Sequence, residues 1–342
     1  MISGHTHHLL AVAGIATLAL SACSTESATE SPATDASTAE SSAATATTPT
    51  SLTVGLSYVP DIQFAPFYVA EDLGFYEEAG LDVTLRHHGA EEGIFTALEQ
   101  GAEDVVVASG DEVLGQAAAG SDVVQIATLY ATSPVALIAP EEAGITSAAD
   151  LEGLTIGTPG EFGSTYLGLL TLLEEAGLGA DDVTIQSIGY TQTTALLTEQ
   201  VDAVMGFSNG DGVRIAAAGT PVTMLEPPSL VSVGVATTGE EIESEAEALT
   251  AFIEASVRGA QAAAEDPEGT VEIASGHISG MTADAREDAL AVLEATIPLW
   301  SDGAETDLEV WQAMGEAMVG AGIIEAVPEG AVTNDLASGA GR

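Results

Sequence analysis

Lysine is absent from this chain, and its only basic side chains are five arginines: Arg86, Arg214, Arg258, Arg286 and Arg342. Against them stand 53 acidic residues, for a formal net charge of −48. A basic footprint for a phosphate backbone is missing, which argues against nucleic acid as a partner. The charge acts on solubility and self-repulsion rather than on the fold, and an acid-rich, lysine-free surface suits a high-salt habitat. Cysteine occurs once, at Cys23, so an intramolecular disulfide and a cysteine-based metal site are both excluded. The sequence has no HExxH. His87 and His88 are adjacent and cannot share one face as ligands, and His277 stands alone. No catalytic residue, metal site or cofactor is therefore expected.

What is present begins with a leader. Leu9 to Leu20, "LLAVAGIATLAL", is an apolar run too short to span a bilayer, which takes roughly 20 residues, and it fits a signal-peptide core. Leu20-Ser21-Ala22-Cys23 follows at once and resembles the bacterial lipobox, whose cysteine becomes the lipidated first residue. The preceding segment departs from the usual pattern: it carries His5, His7 and His8 but no basic charge. Residues 24–50 are Ser, Thr, Ala, Glu, Asp and Pro with no large apolar side chain. Such a stretch cannot bury enough surface to offset its ordering entropy and reads as a tether. The reading is a signal peptide (1–22), a lipid-anchored linker (23–50) and then a folded module on the outer face of the cell membrane.

From Leu52 onward, strand and helix patterns alternate. "SLTVGLSYV", "LDVTLR", "DVVVAS" and "DVVQIATLY" read as strands with helical segments between them. "PVALIAP", "LTIGTP", "VTIQSIGY", "DAVMGF" and "PVTMLE" repeat the scheme. After "LVSVGVAT" the chain is largely helical, with Pro267 suited to a first helical position, and the tail after Pro328 reads as flexible. The alternation implies parallel sheets covered on both faces. In open sheets of this kind ligands sit at the carboxyl ends of strands.

The residues at those ends are consistent in type. After the first strand come Tyr58, Asp61, Gln63 and Phe64, with Phe67 close behind. Ser109 and Asp111 follow "DVVVA", and Tyr130 ends "IATL". "PGEFGSTY" supplies Gly160, Phe162, Gly163, Ser164 and Tyr166. Tyr190 and Gln192 follow "VTIQSI", and Asn209 and Asp211 follow "DAVMGF". Rings to stack a flat ligand and polar groups to bond its edges suit a binding pocket. Asp61 and Asp111 read as groups for ligand hydroxyls or amines, or as helix caps. The glycines of "TPGEFGSTY" precede a helix whose first N–H groups suit a partly negative group; a turn capped by Ser164 is the plainer reading. Six of the thirteen Phe and Tyr residues fall between Ser57 and Val83. Of these, Tyr58, Phe64 and Phe67 are candidates for the ligand wall, Phe75 and Tyr76 for the core, and Tyr68 for either.

These blocks resemble the SsuA/THI5-like (NMT1) family of ABC transporter solute-binding proteins. The resemblance rests on "YVPDIQFAPFYVAEDLGFYEEAGLDV", "VASGDEVL", "DLEGLTIGTPGEFGSTY" and "QVDAVMGFSNGD", and spans about Leu52 to Trp300. It implies a type II periplasmic-binding-protein fold with two α/β lobes closing on ligand by a hinge: residues 51–133 with 236–327, and 134–235, before a flexible tail (328–342). It also implies an ABC permease and its ATPase as partners, with the binding protein a monomer. "QFAPFYVA", "VASGD" and "PGEFGSTY" look most like riboflavin-type members, with the thiamine pyrimidine precursor as the second ligand class. Pro60-Asp61 and Asn209-Gly210-Asp211 depart from the usual Pro-Asn and Asn-Asn-Glu. The alternatives are an alkylsulfonate or taurine binder, for which Arg214 is the nearest cation, a pyrimidine-precursor synthase, and a sensor.

Overall fold

The computed structural model describes residues 48–57, 59–88 and 93–340. The leader, Cys23, nearly all of the tether, and Tyr58 lie outside the described residues.

The first sheet takes β1 (Thr50–Leu56), β2 (Leu81–His87), β3 (Val105–Ser109) and β4 (Val123–Thr128) from the start of the module. Helices α1 (Ala65–Asp72), α2 (Phe75–Glu78), α3 (Ile94–Glu99) and α4 (Gly110–Ala118) connect them. The chain then crosses into a second sheet of β5 (Val135–Pro140), β6 (Thr155–Thr158), β7 (Thr184–Ser187), β8 (Ala203–Phe207) and β9 (Val222–Leu225). Here α5 (Gly163–Glu175), α6 (Gln192–Leu197) and α7 (Val213–Ala217) are the connections. It returns as β10 (Val233–Thr238) and ends in α8 (Gly239–Glu265), α9 (Pro267–His277), α10 (Ala283–Thr296) and α11 (Leu308–Gly320).

The strand orders are β2-β1-β3-β10-β4 and β7-β6-β8-β5-β9. Each sheet is mixed rather than purely parallel. β10 runs antiparallel to β3 and β4, and β5 runs antiparallel to β8 and β9. The reason is the crossover. β5 and β10 each start at the seam between the lobes and run away from it, while the other strands run toward it. The return crossing falls at residues 226–232. The first lobe therefore resumes at Val233, a few residues before the boundary expected at 236.

The cores follow from composition. β3 is a run of Val and Ala buried on both faces, as a central strand requires. Phe252 of α8 stacks between Phe67 and Tyr76, at centroid distances of 6.2 and 5.5 Å. Gly259 lets α8 lie against α1, because a Cβ there would collide with the Pro66 carbonyl. Pro267 does open α9, with Asp266 as its cap, accepting from the Gly269 N–H. His87 and His88 turn to different partners, the Tyr68 hydroxyl at 3.0 Å and Glu103 Oε1 at 2.5 Å. A second apolar cluster runs from β3 and α4 into β5 and α5, so the lobes share packing at the seam.

The expected flexible tail is packed as far as Ala340. Val332 bridges to Gln125 beside β4. The Asn334 side chain accepts from the Thr306 N–H and donates to the Thr306 carbonyl, at 2.8 and 2.9 Å. Ala331, Leu336, Ala337 and Ala340 are buried. The tail thus covers the edge of the first sheet. Among the described residues, no helix is long and apolar enough to cross a membrane.

Candidate ligand-binding cleft

The strand ends that face the seam enclose a cavity of about 360 Å³, within the usual range for small-molecule sites. The first lobe contributes Ser57 after β1, Asp61 and Gln63 from the turn before α1, Ser109 and Glu112 where β3 meets α4, and Val233 at the start of β10. Val292 reaches the cavity from α10. From the second lobe, the β6–α5 connection gives Pro159, Phe162, Gly163, Ser164 and Thr165. Tyr190 and Gln192 follow β7. Phe207, Asn209, Gly210 and Asp211 follow β8, and Arg214 stands on α7. The segment Ser208–Gly212 is one turn of π-helix, a widened turn often found at functional sites.

Two rings stand open to this space. Phe162 and Tyr190 are 62% and 66% exposed, unlike the other large aromatic side chains among the described residues. Gly160 makes room for Phe162, since a Cβ at that position would strike the ring. The same cavity holds acceptors. Asn209 is buried, and its Nδ2 donates to Thr296 Oγ1 at 2.7 Å. Thr296 spends its own proton on the Val292 carbonyl at 2.6 Å, so the Asn209 amide can only be oriented this way. Asn209 Oδ1 is left buried with no hydrogen-bond partner among the described residues, a cost that a donor on a ligand would relieve.

Two carboxylates at the cleft, Asp111 and Asp211, are perturbed by burial. Burial, and then the charge of Glu112, push the Asp111 carboxyl up to about 6, against the Ser164 and Ser109 hydroxyls, which pull it down. Burial also raises Asp211, although the Phe207 N–H at 3.1 Å, Arg214 and Thr193 lower it. Burial raises Tyr130 to about 12, and its hydroxyl reaches the Gln63 carbonyl at 3.4 Å. Arg214, the one cation on the cavity wall, is paired with Asp288 of α10 at 3.0 Å.

The seam is bridged by Ser164, which reaches Asp111 at 2.5 Å and Ser109 at 3.0 Å, by Asn209 to Thr296, and by Arg214 to Asp288. Ser164 therefore does not cap α5. The cap position is Phe162, with no side-chain bond. Among the described residues, no group of three or more His, Cys, Asp or Glu is placed to hold a metal ion.

Ten of the residues singled out in the sequence share this cavity: Asp61, Gln63, Ser109, Phe162, Gly163, Ser164, Tyr190, Gln192, Asn209 and Asp211. Asp111, Gly160 and Tyr130 lie directly behind the wall. Phe64, Phe67 and Tyr166 do not line it. The short helical turn Ile62–Phe64 rotates Phe64 inward, edge-on to His87 at 5.3 Å. Phe67 sits on the buried face of α1 against Phe252. Tyr68 resolves to the core, fully buried and stacked on His277 at 4.3 Å. Val292, Asp288 and Thr296 were not singled out. They come from a helix that follows no strand, and no local signal marks them.

The NMT1/THI5 like family model matches residues 61–270. This chain belongs to that family. It is 30% identical over 302 residues to the riboflavin-binding protein RibY of Chloroflexus aurantiacus, covering 84% of this chain and 86% of that protein. It is 26% identical to the 4-amino-5-hydroxymethyl-2-methylpyrimidine phosphate synthase of Legionella pneumophila, over 65% of this chain and 72% of the enzyme. The periplasmic aliphatic sulphonate binding protein SsuA of Escherichia coli superposes with a TM-score of 0.67 at 15% identity, covering 82% of this chain and 90% of SsuA. That likeness speaks to the fold, two α/β lobes of the periplasmic-binding-protein kind.

Proposed function

We propose that this protein is the extracytoplasmic solute-binding component of an ABC importer, and that its cleft takes a flat nitrogen heterocycle. A riboflavin-like ligand comes first and the thiamine pyrimidine precursor second. The observation that carries the reading is the pairing of two exposed rings, Phe162 and Tyr190, with a buried, unpartnered acceptor, Asn209 Oδ1. A ring held between aromatic faces, with an N–H aimed at that oxygen, uses both features. Asp61, Asp211 and Glu112 also line the cavity, so the wall is rich in acceptors and favours a ligand that donates. An anionic sulfonate meets the opposite: the one cation, Arg214, is already held by Asp288. The 30% identity to RibY points the same way.

In this reading Cys23 is lipidated and residues 24–50 tether a monomeric receptor to the outer face of the cell membrane. Capture between the lobes and closure of the seam present the loaded form to the permease and its ATPase. The relationship to a pyrimidine phosphate synthase keeps an enzyme as the second reading. The described cleft residues include no histidine, cysteine or lysine, which weighs toward binding.

Calorimetric titration of the purified protein with riboflavin, hydroxymethylpyrimidine and an alkylsulfonate tests the ligand. Saturable binding of a heterocycle without turnover is expected. Binding of the sulfonate alone, or conversion of the pyrimidine, would overturn the reading.

A further inference from the structure

A second cavity, of about 240 Å³, opens beside the first. Asp61 and Arg214 line both cavities, so the two meet at a common wall. That wall contains the Arg214–Asp288 pair, with Nε to Oδ2 at 3.0 Å, and Asp288 itself faces the second space. The rest is formed by Ile62, by the connection between α9 and α10, including Ser279 and Met281, and by Ala285 and Ala289 of α10. Its chemistry differs from that of the first. Among the described residues no ring lines it, so they offer nothing to stack a flat group. It instead combines an apolar floor with a hydroxyl, a guanidinium and two carboxylates.

We infer that the second cavity receives an uncharged, hydroxyl-bearing chain attached to the ring held in the first. This rests on the proposed binding of a flat heterocycle and names the class of ligand more closely. A hydroxyl is both donor and acceptor. Along such a chain the hydroxyls donate to Asp61 and Asp288 and accept from Arg214 and Ser279, so all four groups keep partners. A chain ending in a phosphate carries about −1.5 to −2 charges near neutral pH. It would meet two carboxylates with a single guanidinium that is already neutralised. A ring with no chain leaves the second cavity to water. The site therefore selects for a ring bearing a neutral polyol and against both the bare ring and its phosphorylated form.

The test compares dissociation constants of the purified protein for riboflavin, for lumiflavin, which has the same ring with a methyl group in place of the chain, and for flavin mononucleotide, which has the chain ending in phosphate. Riboflavin is expected to bind at least tenfold more tightly than either. Ala285 lines the second cavity but is exposed, so Ala285→Leu fills the space from its rim. This substitution is expected to bring the riboflavin-to-lumiflavin ratio close to one. Equal wild-type affinities for riboflavin and lumiflavin would overturn the chain site while leaving the heterocycle reading standing. Absence of binding by all three flavins would overturn the flavin reading, and the chain site with it.

Discussion

Ser164, at the start of α5, donates a hydrogen bond of 2.5 Å to Asp111, at the start of α4, and so joins the two lobes across the cleft. The acceptor is a buried carboxylate whose pKa stands at about 6, raised first by burial. Its proton inventory therefore bears on how firmly the seam holds.

The sign follows from the shift. A carboxyl with a folded pKa near 6 and an unfolded value near 3.9 binds its proton more tightly when folded. Its ionisation therefore opposes folding. The penalty is absent below about pH 4, grows between about 4 and 6, and is complete above 6, on the order of 2 to 3 kcal/mol. Asp111→Asn keeps an acceptor for Ser164 but cannot ionise. Relative to wild type, its melting temperature is expected to gain as pH rises through that window and to level off above it. A wild-type-to-variant difference that does not change with pH would show that Asp111 is not the titrating group.

Phe162 and Tyr190 are exposed, so removing either ring costs the fold little and the ligand much. Phe162→Ala and Tyr190→Ala are each expected to weaken riboflavin binding by about 1 to 3 kcal/mol, roughly fivefold to 150-fold, as for other ring-on-aromatic stacks. The melting temperature of the free protein should stay within a degree or two. Fluorescence quenching of riboflavin supplies the affinity. Unchanged affinity in both variants would remove the rings from the site.

Phe67 is the counter-case. It occupies a strand-end neighbourhood in the sequence but packs on Phe252 in the core. Phe67→Ala is expected to destabilise the protein by about 3 to 5 kcal/mol, as large-to-small core changes do, read by urea denaturation. A loss of ligand affinity with unaltered stability would place this side chain in the cleft after all.

That contrast shows how far the sequence could be read. The rule that ligands meet strand ends located Ser109, Phe162, Ser164, Tyr190, Asn209 and Asp211, because each directly follows a strand whose direction its neighbours fix. It could not tell which way the single turn after β1 rotates, and so it sent Phe64 and Phe67 to the wrong side. It also missed Val292 and Thr296. They reach the cleft only because α10 docks across the seam, which is a tertiary fact without a local pattern. The tail misled for a similar reason. Its small and polar residues look unanchored until Asn334 brackets Thr306 and the alanines settle against the edge of the first sheet.

With a net charge of −48, the folded molecule repels itself more strongly than the expanded chain does. Salt shortens the reach of that repulsion, from about 10 Å at 0.1 M to about 3 Å at 1 M. The melting temperature is expected to rise by several degrees between 0.05 and 1 M potassium chloride. A flat or falling profile would show that specific ion pairs, not the overall charge, govern the response to salt.

The place of β10 between β3 and β4 has a consequence for biosynthesis. The strands of the second sheet lie within one uninterrupted stretch that ends at Leu225, whereas the first sheet has a gap in its middle until Thr238 has been made. A chain emerging amino end first can therefore assemble its second lobe while its first is still open. Protease treatment of chains truncated after Glu226 is expected to yield a resistant fragment from the second lobe and none from residues 50–128. The reverse pattern would mean that the first lobe is stable without its inserted strand. In this protein the order of the residues is not the order of completion, and the lobe that begins first closes last.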